Sequence, residues 1–488
     1  MNSSSRATVV VVNYNGAHLL PPCLEALRRQ DLPPTEFQTV VVDNASVDGS
    51  VELLRRDFPE VQVIASATNT GFAGGNNLAL RDVRTPFAVL LNNDAVPEPD
   101  WLRRLLAAFE ARGTDRVGVI TGKVVFMPRF LPLHWETPGF SAGVHDPRDL
   151  GARVYRVTVS ADGAAAGESG SADGASADGL GTDGLGTDGG GTEDEVTEKV
   201  LWERLTYGPE DTPAGRFRWT RPAGDLLVPL PGIHGATLDA PLTVTFTVAA
   251  EAVKPLTISG KEAGTNAEIG TEPTDVRLTI PAGTPLVDVV NNVGGIVLRE
   301  GYGADRGFQE VDEGQYDEPA EVFTACGNGM AIRTEAGQAA GWFDDDFFMY
   351  YEDTDLSWRL RAAGWSIWYE PTAVLRHIHS ASSKEWSPRW VFHVDRNRLL
   401  MLTKDARAGL AVRAALRYPL TSASMLLRAA RQTARTRQRP ALRPHLLRAK
   451  VYASYLRLLV PVLARRRAVR RSATVSRKEL ERWLVSAR

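Results

Sequence analysis

Residues 7–43 read ATVVVVNYNGAHLLPPCLEALRRQDLPPTEFQTVVVD, and this stretch decides the fold. It opens on ATVVVVN (Ala7–Asn13), an unbroken run of mostly β-branched residues that predicts a strand buried on both faces. Leu19, Leu20, Cys23, Leu24 and Leu27 then recur at helical spacing, and FQTVVVD (Phe37–Asp43) repeats the strand signal. The alternation continues with a helix over Ser50–Phe58, strands at VQVIA (Val61–Ala65) and FAVLLNND (Phe87–Asp94), a helix over Trp101–Ala111 and a strand at VGVIT (Val117–Thr121). Such alternation predicts an α/β fold, a mostly parallel sheet with helices on both faces. Ligands of such sheets gather beyond the strands' carboxyl ends. Asn13, Asp43 and Asn92–Asp94 end three of these strands and are the first candidate site residues.

Further along, the pattern changes. From about residue 162 to 195 the chain is rich in Gly, Ala, Ser and Asp and nearly free of large apolar residues, which predicts a flexible acidic loop. Short alternating runs around it, such as LTVTFTV and VRLTIPAG, predict a small all-β module inserted over about residues 140–288. The core would then comprise a donor-binding half (1–139) and an acceptor or catalytic half (289–395). A helical region follows (396–488), broken at Arg439–Pro444.

The chain has 488 residues and a formal charge of −3, which conceals an asymmetry: from Arg396 onward there are 24 Lys and Arg against 3 Asp and Glu, and before it 32 against 56. The basic end suggests an anionic partner. Two cysteines exclude a disulfide framework and a zinc site built on paired cysteines, and a reducing, cytoplasmic setting is the simplest reading. The apolar run Ala7–Val12 is too short for a signal peptide, and no stretch reaches the ~18–20 apolar residues that span a bilayer.

Three motifs carry chemistry. In LLNNDAVPEPD (Leu90–Asp100) a buried strand ends on Asn92-Asn93-Asp94, which suits an oxygen ligand for Mg²⁺ or Mn²⁺ and equally suits a polar turn. In VVVDNASVDGS (Val40–Ser50), Asp43 is placed to accept hydrogen bonds from a base or ribose, while Asp48 and Ser50 read as caps of the next helix. NTGFAGGNN (Asn69–Asn77) reads as a Gly-rich turn before a helix, matching neither a dinucleotide fingerprint nor a P-loop. The richest constellation is GWFDDDFFMYYEDTDLSWRLRAAGW (Gly341–Trp365). It sets Glu352 and Asp353 among aromatics at a helix start, as a positioned base requires, with Asp355 favouring the helix dipole. RHIHSAS (Arg376–Ser382) adds two histidines, each either structural or a ligand.

Taken in order, VVVVNYNG, VVVDNASVDGS, NTGFAGGNN, LLNND, CGNGMAIR and FDDDFFMYYEDTDLSWRLRAAGW resemble the family 2 nucleotide-sugar glycosyltransferases of GT-A fold, nearest the bacterial rhamnosyltransferase and cell-surface polysaccharide branch. The resemblance implies an inverting transfer of a sugar from a nucleoside-diphosphate sugar to a glycan or lipid-linked glycan hydroxyl. Asp353 would be the base with Glu352 beside it, and Asn13, Asn15, Asp43, Asn69, Gly71, Asn77, Asn92 and Asn93 would line the donor site. Asp94 would ligate the divalent cation with His377, or with His379 if the register slips; Asn92 replaces a carboxylate usual in the motif. A sugar nucleotidyltransferase is the competing enzyme, but NYNGAHLLPP lacks the basic triphosphate loop it would need; a glycan-binding or scaffold protein is the competing non-enzyme. Trp202, Tyr207 and Trp219 in the insertion read as core or as sugar-stacking aromatics. The basic region, RPHLLRAKVYASYLRLLVPVLARRRAVRR (Arg443–Arg471) above all, reads first as a peripheral contact with an anionic inner membrane face. Packing on the chain's own acidic body or on a second subunit competes, an oligomer is compatible, and no nucleic-acid module accompanies the charge.

Overall fold

The computed structural model describes residues 5–113, 116–141, 146, 148–161, 194–202, 205–212, 215–233, 235–378, 387–436 and 442–486. The acidic loop expected from residue 162 lies outside them as far as residue 193, as do His379 and Ser382. Two compact units emerge: Met1–Met127 with Val290–Arg488, and Pro128–Val289.

The first unit is built on one sheet. Its strands β1 (Ala7–Asn13), β2 (Phe37–Asp43), β3 (Gln62–Ala65) and β4 (Phe87–Asn92) lie in the order 3-2-1-4 and are mutually parallel. Beyond β4 come Gly329–Arg333, then β6 (Val117–Phe126), Ser366–His377 and Ala320–Glu321. Gly329–Arg333 runs antiparallel to both neighbours, so β6 and its parallel neighbour Ser366–His377 regain the direction of β1. The sheet is therefore mostly parallel, as the alternation predicts. The central strands β1 and β4 are mostly apolar because both faces are covered. Val9, Val11, Val41, Val89 and Leu91 pack with Leu24, Leu27 and Trp101 on one side. Val10, Val42, Ala88, Leu90 and Met330 pack with Ala73, Leu356 and Leu360 on the other.

The helices α1 (Leu20–Arg28), α2 (Ser50–Asp57), α3 (Gly71–Leu80), α4 (Trp101–Ala111), α5 (Thr334–Ala340) and α6 (Glu352–Ala362) punctuate the strands. Pro21 and Pro22 start α1, where a missing N–H costs nothing. α3 departs from expectation: GFAGGNNLAL is itself helix, not a turn leading into one. Its glycines serve contact rather than bending, since a Cβ on Gly75 would stand 2.8 Å from the Val12 side chain. Close approach to the sheet thus offsets glycine's poor helix propensity.

Three long helices complete this unit: α7 (Pro388–Asp405), α8 (Ala408–Thr436) and α9 (Arg443–Ser472). The Ser387 side chain caps α7 by accepting from Trp390 N at 3.2 Å. Part of the basic region is interior rather than tail: Arg396, Asn397, Arg398, Lys404 and Asp405 are buried. Lys404 Nζ lies 2.5 Å from Asp344 and 2.6 Å from Asp355, and Arg359 holds the other oxygen of Asp355 at 2.8 Å. Asp355, expected to favour a helix dipole, is instead a fully buried ion-pair partner. Lys404 and then Arg359 hold its carboxyl below the usual range against the effect of burial.

The second unit is all β. Arg153–Ala161, Gly215–Thr220, Thr206–Thr212, Leu242–Ala249 and Thr274–Ile280 form one antiparallel sheet, and Ala223–Leu230, Arg129–Glu136, Lys254–Ser259 and Gly264–Ile269 another. Leu131, Leu133, Trp135, Leu226 and Ile258 of the smaller sheet share a core with Val157, Val244, Phe246 and Leu278 of the larger. Trp202 packs against that core, and Trp219 lies edge-on to Phe217 and Phe140.

Removing one partner from a buried ionic cluster strands the others without water. Lys404→Met should therefore lower the unfolding free energy of the full chain by about 3–5 kcal/mol, read from the denaturant midpoint. An unchanged midpoint would show that Asp344 and Asp355 do not depend on the ammonium.

Candidate active site

Strand register creates the site. Asn13 stands opposite Asp43, and Val12 opposite Asn92, so the carboxyl ends of β2, β1 and β4 finish side by side. The order 3-2-1-4 also reverses between β1 and β4, where an open α/β sheet leaves a crevice. Asn13 is fully buried and is the hub: its Nδ2 donates to Asp43 Oδ1 and Ser46 Oγ, each at 3.3 Å, while its Oδ1 accepts from Asn93 Nδ2 at 2.8 Å. Asp43, 2% exposed, also accepts from Ser46 N at 3.0 Å.

The loops after β1 and β2 are stitched together. Asn15 sits in the left-handed region at φ 50°, donates its N–H to Ser46 Oγ and accepts from Val47 N, both at 2.9 Å. The N-cap of α2 is Gly49, not the expected Asp48 or Ser50, and Asp48 instead joins the loops: its Oδ2 accepts from Ala17 N at 2.8 Å while its Oδ1 accepts from Ser50. Partial burial raises its carboxyl, and the bonds from Ser50 and Ala17 outweigh that and hold it low. Gly16, which no sequence signal singled out, leaves room for this hub: a Cβ there would meet Asn93 at 2.4 Å and Asn13 at 2.6 Å.

Asp94 follows on the turn from β4 into the short strand β5 (Ala95–Pro97). β5 pairs with Leu375–His377, with His377 opposite Ala95, and so brings the imidazole back to the carboxylate. His377 Nε2 is 3.2 Å from Asp94 Oδ1, and His377 Nδ1 is 3.1 Å from Asn291 Oδ1. Asp94 is 6% exposed and Asn92 and Asn93 are half-buried. Among the described residues no three His, Cys, Asp or Glu side chains gather as a metal cluster. One carboxylate and one imidazole about 3 Å apart nevertheless match adjacent donors around an octahedral cation at ~2.0–2.1 Å, provided substrate oxygens complete the shell.

The second carboxylate pair arrives from α6. Asp353 Oδ2 accepts from Gly327 N at 3.1 Å, and its Oδ1 accepts from Thr354 N at 2.6 Å and Thr354 Oγ1 at 3.1 Å. One residue along the same loop, Asn328 O accepts from Asn92 N at 3.1 Å. The backbone of Gly327–Asn328 thus joins the β4 end to the start of α6. A reading of side chains alone had no access to this link.

Electrostatics separates the pair. Burial, then the charge of Asp353, pushes Glu352 well above the usual carboxyl range, and its Oε2 has no hydrogen-bond partner among the described residues. Burial also raises Asp353, opposed by the Gly327 and Thr354 bonds. Donors favour the ionised form, so the hydrogen bonds from Gly327 and Thr354 favour charge on Asp353 over Glu352. Asp353 is also the more exposed of the two. The free thiols Cys23 and Cys326 are both pushed up by burial, which argues against a thiolate nucleophile.

Three sequence candidates stand apart from this cluster. Asn77 is buried; it donates to Phe343 O at 2.9 Å and Asp345 Oδ1 at 2.6 Å and accepts from Phe343 N at 3.1 Å, pinning the loop before α6. Asn69 accepts from Gly71 N at 2.9 Å at the head of α3. Gly71, at φ 74°, has Phe348 O where a Cβ would stand 2.3 Å away.

Residues 8–159 match the profile described as Glycosyl transferase family 2. A glycosyltransferase AglE of Haloferax volcanii is 26% identical over 114 residues, 23% of this chain and 38% of that protein. An N-acetylglucosaminyl-diphospho-decaprenol L-rhamnosyltransferase of Mycobacterium tuberculosis is 41% identical over 73 residues, 14% of this chain and 24% of that protein. The chain therefore matches well under half the length of either relative. Among solved structures, S. aureus TarS 1–349 in complex with UDP is 27% identical across 24% of this chain and 35% of that one, with a TM-score of 0.23. The strand-end cluster lies inside the matched residues, and the chain carries a glycosyl transferase family 2 domain.

Proposed function

We propose that the chain transfers a sugar from a nucleoside-diphosphate sugar to a hydroxyl of a glycan or lipid-linked glycan in cell-surface polysaccharide synthesis. One observation carries the reading: the Gly327–Asn328 backbone ties the strand-end cluster of Asn13, Asp43 and Asn92–Asp94 to a partly exposed, hydrogen-bonded carboxylate, Asp353. The family 2 domain and the rhamnosyltransferase relative support it.

Asp43, held in place by Asn13, supplies an acceptor for the nucleoside, with Asn15 and Asn93 at the rim. Asp353 takes the proton from the acceptor hydroxyl as that oxygen bonds to the anomeric carbon. The bond from that carbon to the diphosphate oxygen breaks, and the nucleoside diphosphate leaves with the electron pair. A single displacement inverts the anomeric configuration. Burial favours the neutral form of Glu352, which limits the negative charge beside the base. Asp94 and His377 would hold a divalent Mg²⁺ or Mn²⁺ ion, which when bound offsets charge on the diphosphate.

Asp353→Asn should lower transfer by about 10²–10⁴-fold, with donor affinity changed less than about threefold by calorimetry. Transfer at the wild-type rate would reject the base. Because the base works ionised and burial raises its pKa, kcat/KM should climb with pH along an acid limb lying above the ~3.9 of an ordinary Asp. Titrations of donor into Asp94→Ala and His377→Ala with and without Mn²⁺ should show no cation-dependent gain in affinity. Release of nucleoside diphosphate from a panel of donors identifies the sugar; release from none of them would sink the proposal.

A further inference from the structure

The 65 residues Ala408–Ser472 contain 16 Lys and Arg and not one Asp or Glu. Some of these cations are spent within the unit: Arg465 pairs with Asp344 and Asp346, Arg448 with Asp395, and Arg466 donates to Thr403 O and Ala406 O at 2.7 Å. Others are not. Arg413, Arg417, Arg428 and Arg431 of α8, and Lys450, Arg457 and Arg467 of α9, form no ion pair among the described residues.

Between these cations lie apolar side chains that face water. On α8, Val412, Leu416, Leu420 and Leu427 are 55%, 58%, 69% and 60% exposed. Their spacing of four, four and seven residues puts them on one stripe of the helix, opposite the face that buries Leu410, Ala414 and Tyr418 in the core. On α9, Leu446, Leu456, Val460 and Leu463 repeat the arrangement while Val451, Tyr455 and Val462 point inward. An arginine follows Val412, Leu416 and Leu427 on α8 and Leu456 on α9 by one position. Neither helix is long and apolar enough to cross a membrane.

We propose that the outward stripes of α8 and α9 lie in the plane of an anionic lipid surface, leucines in the acyl boundary and arginines at the phosphates. The charge decides the occupant. An acid-free surface of 65 residues repels a second copy of itself, whereas a bilayer accepts apolar stripes and offers phosphates along their borders. The sequence drew attention above all to the Arg443–Arg471 segment; the structure commits Arg448, Arg465 and Arg466 of that segment to their own unit and gives α8 an outward stripe of its own. The inference is independent of the transfer reaction.

The test is flotation of the full chain with phosphatidylcholine vesicles and with vesicles containing 30% phosphatidylglycerol. The chain should float with the anionic vesicles and not the neutral ones, and release as salt rises toward 1 M. Leu416→Glu/Leu420→Glu/Leu427→Glu should cut the partition coefficient at least about tenfold, with an unchanged melting temperature and unchanged nucleoside diphosphate release from a soluble substrate. Leu456→Glu/Val460→Glu, on the other helix, should act independently in the same direction. Equal flotation of wild type and both variants would overturn the proposal. So would a dimer in light scattering that the α8 variant converts to monomer, since the stripe would then be covered by a second copy.

Discussion

Everything at the start of α6 depends on three side chains of α7 holding a strained loop. Between Trp342 and Tyr351, four non-glycine residues take positive φ: Trp342, Phe348, Tyr350 and Tyr351. Each costs about 1–3 kcal/mol in a chain of L-residues. Asn397 Nδ2 lies 2.8 Å from the carbonyls of Phe347, Met349 and Tyr350, and Arg396 donates to Asp346 O and Phe347 O. Lys404 anchors both ends through Asp344 and Asp355. The loop keeps its conformation because leaving these groups unpaired in the interior would cost more than the strain.

That clamp has a consequence at the sheet edge. Glu352 is the first residue of α6 and Tyr351, left-handed at φ 69°, directs the chain into it. Any relaxation of the loop would move Asp353 away from Gly327 N, and with it the link to Asn92. Asn77 restrains the same loop from the other side, through Phe343 and Asp345. The candidate base is thus positioned from both flanks by residues that never approach it, while three local donors oppose the effect of burial on its carboxyl.

The strands and their carboxyl ends were legible because burial on both faces leaves an unambiguous mark: uninterrupted Val and Leu closing on a polar residue. The Gly-rich helix α3 was not, since propensity argues against GFAGG as helix and only the proximity of Val12 and Phe348 explains it. Asn77 and Asn397 could not be placed, because each acts on a backbone far away in sequence, and pattern carries no long-range partner. Gly327 and Asn328 contribute backbone groups, which every residue possesses and no motif distinguishes. The pairing of Asp355 with Lys404 was hidden for a related reason: composition counts charges without saying which are buried together.

The same distinction resolves the charge asymmetry. A formal −3 made of an acidic body and a basic end looks like a body neutralised by its own tail. Part of it is: Arg396, Lys404, Arg448, Arg465 and Arg466 are committed to carbonyls and carboxylates of their own unit. Self-neutralisation would require the remaining cations to follow, with acidic residues within reach on α8 and α9. There are none between Ala408 and Ser472, and the same two helices carry water-exposed leucines. Folding has paired the basic charges that sit over the active-site loop and left an unpaired, apolar-lined set facing outward, so the two halves of the basic region answer to different constraints.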